Sequence, residues 1–143
     1  MSLNNLQKAI LFLTRVFFGL FFFQSGLNKL LGDFSAEQFL LQSSGPFAQF
    51  FAPMAGVNLV DFMVIFGEIT VGLALVFGIL MWPAIFGGVL MMALFYLAGF
   101  PPAGGYININ IVYILIFLLL GIFRADKYWG LEEHWQKYLL KRL

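Results

Sequence analysis

The sequence predicts an all-α protein: an integral membrane four-helix antiparallel bundle, with an extracytoplasmic linker helix and a C-terminal interfacial helix. Three observations carry this expectation. Of the 143 residues, 62% are apolar and only 10% are charged, too little polar surface for a soluble domain of this size. Four apolar segments approach the length of about 20 residues that a bilayer crossing needs. The links between the later segments are short enough to force neighbouring helices antiparallel. Residues 1-143 therefore read as a single membrane domain.

The first span, about 9-28, runs from Ala9 to Asn28 between Lys8 and Lys29. It is too long for a signal peptide, is interrupted by Arg15 and lacks a small-x-small cleavage site, so it is expected to be retained. An outer linker, 33-58, follows. It is rich in Phe and Leu and carries turn signals at Ser43-Ser44-Gly45-Pro46 and Pro53. That pattern predicts one or two short helices at the membrane surface or folded over the bundle mouth. The second span, about 62-81, runs from Phe62 to Met81. A tight link around Met81-Trp82-Pro83 joins it to the third, about 83-100, with Pro83 in the opening turn and Pro101-Pro102 just past the end. The fourth, about 107-123, runs from Ile107 to Phe123 and ends at Arg124. In the tail, 124-143, Leu131, Trp135, Tyr138 and Leu139 share one helical stripe while Lys137 and Lys141 fall elsewhere, the pattern of an interfacial helix.

Orientation follows from the basic residues near the span ends. One side holds Lys8, Arg124, Lys127, Lys137, Lys141 and Arg142, and the other holds Lys29 with Asp33, Glu37 and Asp61 close by. The expectation is a multi-pass protein of the cell (cytoplasmic) membrane with both termini cytoplasmic. Composition also excludes chemistry. There is no cysteine, hence no disulfide, iron–sulfur cluster or thiolate metal site. The one histidine, His134, lies in the charged tail, so axial haem ligation within the membrane is not expected. No metal site and no covalent cofactor are expected. No basic run with interleaved aromatics points to nucleic acid.

Against this apolar background, polar groups inside spans stand out, because an intramembrane ionisable side chain usually faces a bundle interior or a wet cavity. Glu68 lies in the second span, roughly 10 Å below the outer boundary by helical rise. Asn110, Tyr96, Gln24, Ser25 and Asn28 fall at or near that level, so every helix offers polar atoms to the outer half. Lys29, Asp61 and Asn108 sit just above and complete the candidate set. On the first span, Arg15, Gly19, Phe22, Gly26 and Lys29 form one stripe; Asp61, Glu68 and Gly72 do so on the second. Glycines beside charges allow close helix approach. Arg15 lies about 9 Å deeper than Glu68 by helical rise, and helical side chains lean toward their own N-terminus, which separates this pair. Direct pairing is left open beside a water- or substrate-bridged contact. Alternatives stand for each residue. Arg15 can snorkel to the cytoplasmic interface. Glu68 can be a neutral, hydrogen-bonded packing group. Lys29 can form an interfacial pair with Asp33.

Several motifs, in order, resemble the DoxX/DoxD-like membrane protein family. They are Arg15-x3-Gly19; Gln24-Ser25-Gly26-Leu27-Asn28-Lys29-Leu30; Gly67-Glu68-Ile69-x2-Gly72-Leu73-Ala74-Leu75-x2-Gly78; and Tyr128-Trp129-Gly130-Leu131 after the fourth span. Glu132 follows where the family pattern often has Asp. The resemblance implies a four-helix membrane subunit. Its DoxD branch is associated with thiosulfate:quinone oxidoreductase, an enzyme of two kinds of subunit, and other branches accompany redox-stress partners.

Three functions compete. The first is the membrane subunit of a quinone-linked oxidoreductase, incomplete as an enzyme on its own, oxidising thiosulfate or another sulfur compound with quinone as the implied cofactor. Here Glu68 would relay protons and Gln24, Asn28 or Tyr96 would hold the head group, with Arg15 stabilising developing negative charge. Electrons must come from a redox partner subunit or a bound reductant. The second is a membrane scaffold for a partner protein, or a homo-oligomer, held through the tail or linker. The third is a small-solute or proton carrier, which the dry inner half disfavours.

Overall fold

A computed structural model of the protein describes residues 3–102 and 105–131. Their regular structure is entirely helical: α1 (Asn5–Leu31), α2 (Glu37–Leu41), α3 (Ala48–Phe51), α4 (Asn58–Phe77), α5 (Met81–Ala98) and α6 (Ile109–Ile122), with short 3₁₀ turns between them. Helices α1, α4 and α5 are long and apolar enough to cross a membrane, which makes this a multi-pass membrane protein. The fourth, α6, is apolar but shorter than expected, 14 residues or about 21 Å. The tail stripe of Trp135, Tyr138 and Leu139 lies outside the described residues, as does His134.

Local chemistry explains where each helix departs from the expected bounds. Helix α1 starts before its apolar run because Asn4 and Gln7 cap each other reciprocally, at 2.8 and 2.9 Å, a capping box that satisfies two orphan amides. Helix α4 begins and ends four residues earlier than expected. Gly78 stops it in the left-handed conformation, φ +62°, which costs glycine nothing. The reversal is therefore Gly78-Ile79-Leu80 rather than Met81-Trp82-Pro83, and Pro83 sits in the first turn of α5, where a missing N–H is harmless. Helix α6 starts at Ile109 because the Asn108 side chain accepts from the amides of Asn110 and Ile111 at 3.0 and 3.4 Å.

The four long helices form a ring of antiparallel neighbours. Gly19 meets Gly72 and Val76, while Gly26 meets Glu68 and Ile69, so α1 and α4 run in opposite directions. The same reading holds for α4 and α5, where Gly67 faces Met91 and Gly87 faces Val71. It holds for α5 and α6, where Gly88 accepts the Phe117 ring and Gly121 accepts Ile85. The ring closes through aromatics: Phe18 contacts Tyr113 and Phe117 of α6 at centroid distances of 5.4 and 4.9 Å, and Phe22 contacts both at 5.8 and 5.3 Å. With Leu75, Met92 and Leu120, the residues Phe18, Phe22 and Phe117 make the buried core, and Tyr113 packs against it half-buried.

The α1–α4 seam is the closest. A Cβ on Gly19 would stand 2.8 Å from the Gly72 carbonyl oxygen, and one on Gly72 would run into the Phe23 amide. Only hydrogen at these positions lets the backbones touch, and dispersion is the force available where lipid removes the hydrophobic drive between helices. At one end of the bundle the linker folds back over α5. Ala36, Leu40 and Phe51 bury against Ala98, Phe39 contacts Phe95, and Phe47 contacts Phe100. The short helices thus roof the bundle mouth.

Candidate functional site

Under that roof, Lys29 and Glu68 form an ion pair, with Nζ 2.7 Å from Oε2. The Glu68 side chain is 6% exposed and that of Lys29 is 23% exposed. Lys29 also donates to Ser25 Oγ at 2.8 Å, one turn back on α1, and its ammonium lies 5.4 Å from the Phe34 ring centroid, within cation–π range. The pair sits where α1 and α4 are pinned by Gly26, whose hydrogen faces the Glu68 Cβ and Ile69. The ion pair of the site is therefore not Arg15 with Glu68, and Lys29 is not committed to Asp33. The direction rule explains both. Side chains lean toward the N-terminus of their helix. On antiparallel α1 and α4 that brings Lys29 and Glu68 together and drives Arg15 and Glu68 apart.

Beside the pair lies a chamber of about 270 Å³, lined by Lys29, Phe34, Ala36, Phe39, Phe95 and Asn110 among others. One ammonium, one amide and several ring faces thus surround a space near the small end of ligand pockets. A larger apolar groove of about 630 Å³ runs along α4 and α5. Ala36, Phe39, Val64 and Phe95 line both spaces, so the chamber and the groove share a wall.

The other sequence candidates are placed as follows. Asp61 supports the roof: its Oδ1 accepts the Ala36 amide at 2.7 Å. Tyr96 donates its hydroxyl to the Tyr106 carbonyl at 3.0 Å, tying the end of α5 to the strand of chain before α6. Asn108 is a helix cap. Gln24 and Asn28 are exposed on α1 rather than turned into the chamber. Phe34 and Phe39, which wall the chamber, were not singled out by the sequence reading, since periodicity cannot rank nineteen phenylalanines.

Arg15 lies at the opposite end of the bundle and is fully buried. It does not snorkel. Its Nη1 donates to the Ala125 carbonyl at 2.9 Å and its Nη2 to the Trp129 carbonyl at 3.3 Å. Left-handed Arg124 and Trp129, φ 50° and 51°, bend the segment after α6 around it. A Cβ on Gly78 or on Gly130 would strike the guanidinium. Leu131 adds a backbone bond to the Phe77 carbonyl at 3.0 Å. Asp126, 6% exposed, takes a two-point ion pair from Arg124 at 2.8 and 3.1 Å. Three of the sequence motifs, those holding Arg15, Gly78 and Gly130, therefore converge on one clasp. Both Nη groups of Arg15 face backbone carbonyls, which gives the clasp the chemistry of a strut, while its Nε is buried without a hydrogen-bond partner.

No curated protein and no solved structure matches the chain. The DoxX family model matches residues 10–99, a stretch that carries Arg15, Ser25, Lys29, Glu68 and both glycines of the α1–α4 seam. That stretch is well over half of the sequence, and the chain belongs to the DoxX family.

Proposed function

We propose that this protein is the membrane subunit of a quinone-linked oxidoreductase, with the head group of the quinone received in the chamber beside Lys29 and Glu68. The observation that carries this reading is the composition of that chamber: an ammonium, held from behind by the Glu68 carboxylate, facing a space between phenyl rings. A quinone ring needs flat apolar walls, a donor for a carbonyl oxygen and a proton source. Phe34, Phe39 and Phe95 supply the walls, and the Lys29 ammonium and the Asn110 amide supply donors. The Lys29 ammonium carries the proton nearest the ring, and Glu68, which accepts its hydrogen bond at 2.7 Å, is the base through which that proton is replaced. A bound quinone supplies two-electron acceptor chemistry. The chain's own residues bind and orient the ring, exclude water from it and deliver protons.

Electrons come from a partner subunit, with thiosulfate or another reduced sulfur compound as the candidate reductant. The basic residues near the terminal end of the bundle favour a cytoplasmic location for it, which places the roof and the chamber on the outer side of the cell membrane. The test is quinone-dependent oxidation of thiosulfate by the purified protein, alone and with candidate partners. Glu68→Gln is expected to lower turnover about a hundredfold or more, in the range for loss of a positioned proton relay. Turnover unchanged in Glu68→Gln removes the proton role from this residue.

A further inference from the structure

We infer that the groove along α4 and α5 is the berth of the quinone's hydrocarbon tail, and that the substrate enters the chamber sideways from the bilayer through the wall the two spaces share. This rests on the quinone reading above. The groove is built for a chain. Its floor on α4 is cut low by Gly67, Thr70 and Ala74, one per helical turn, and α5 faces them with Ala84 and Gly87. Its lining on α4 extends from Leu59 to Ala74, about 22 Å by helical rise, most of a bilayer's hydrocarbon thickness.

Two further features separate this groove from the ordinary lipid-facing gap between two helices. Linker residues Phe39, Leu40, Phe51 and Met54 line its mouth end, so it is roofed there and directed inward. The residues that close it from the chamber are Ala36, Phe39, Val64 and Phe95. Phe39 and Phe95 meet edge to face, with centroids 6.4 Å apart, one on the roof and one on α5. A polar ring beyond that pair lies against Lys29 and Asn110, and the shared wall gives the chain attached to it an apolar route out. A head-and-tail amphiphile satisfies both spaces at once, and the tail's apolar contact adds affinity that the ring alone lacks.

The experiment uses the full chain in lipid nanodiscs and three probes: a benzoquinone without a tail, the same ring with an isoprenoid tail bearing a photoreactive group, and a phospholipid bearing that group on an acyl chain. The tailed ring is expected to label groove residues such as Met63, Ala74 and Met91, and the tailless ring to displace it. At equal concentration in the bilayer the tailed ring should bind at least about tenfold more tightly than the tailless one. Gly87→Leu should remove that advantage and leave tailless binding unchanged. Gly87→Ala is the folding control, because its Cβ would make only an ordinary contact of 3.7 Å with Val71. If the tailless ring binds and the tail adds nothing, or the label falls elsewhere, the groove assignment is overturned and the quinone reading survives. If the phospholipid labels the groove and neither ring displaces it, the groove is a lipid site and the inference is overturned. If no ring binds at any tail length, the quinone reading falls and takes this inference with it.

Discussion

Lys29 and Glu68 stand 39 positions apart in sequence and 2.7 Å apart in space. Removing one partner leaves the other charged in a low-dielectric site, which costs more than removing both. Lys29→Met and Glu68→Gln are each expected to destabilise the bundle. The double substitution should recover about 1–3 kcal/mol of their summed cost. Unfolding of the four proteins of this cycle in one detergent checks it, and additive costs would refute a coupled pair.

The α1–α4 seam predicts a sharp size limit. Gly72→Ala places a methyl against the Phe23 amide, and backbone cannot swing aside as a side chain can. The expected loss is about 1–3 kcal/mol or more. Gly87→Ala, which meets nothing closer than 3.7 Å, should be nearly silent. Denaturation midpoints in matched micelles distinguish the two.

Gly88 offers a compensation test in the core. A Cβ there would enter the ring of Phe117, which is fully buried. Gly88→Ala is expected to lower the melting temperature strongly, and a second change, Phe117→Leu, to recover part of the loss by freeing that volume. Failure of the pair to do better than Gly88→Ala alone would show that the contact is not the cause.

Arg15→Lys replaces a planar fork with a single point donor. One of the two carbonyl bonds, to Ala125 or Trp129, is lost, at about 1.5–3 kcal/mol for a bond to a charged group. Amide exchange in residues 125–131 should accelerate while ligand binding at the chamber, at the far end of the bundle, holds. A loss of chamber binding with unchanged exchange would contradict the strut.

Asp61 is expected to hold the roof. Asp61→Ala frees the Ala36 amide and should speed exchange across α2, with a cost of about 0.5–2 kcal/mol by analogy with a lost cap. Asp61→Asn keeps an acceptor oxygen and should have the smaller effect.

Much of this was legible in the chain itself. Length and hydropathy mark the apolar helices, and Glu68 announces itself as a charge in hydrocarbon. The partner of Glu68 was missed: the lean of helical side chains that separates Arg15 from it also favours Lys29, but the sequence reading set Lys29 beside Asp33. What periodicity does not reveal is anything made by long-range closure. Arg15 reads as a snorkelling or catalytic cation until the segment after α6 is seen wrapped around it, 110 positions away. The chamber walls are hidden for the same reason, since Phe34 and Phe39 gain their meaning only when the linker folds over the mouth. The α6 start depended on a single amide cap at Asn108, below the resolution of an apolar window.

The distance between Arg15 and its carbonyl partners has a bearing on biogenesis. Helix α1 carries a cation whose acceptors are translated 110 and 114 positions later. Until Ala125 and Trp129 emerge, that guanidinium has no intramolecular home, and a chain truncated before them would carry an orphaned charge into the lipid. Final seating of α1 in the bilayer is thereby tied to the arrival of the segment that holds Ala125 and Trp129.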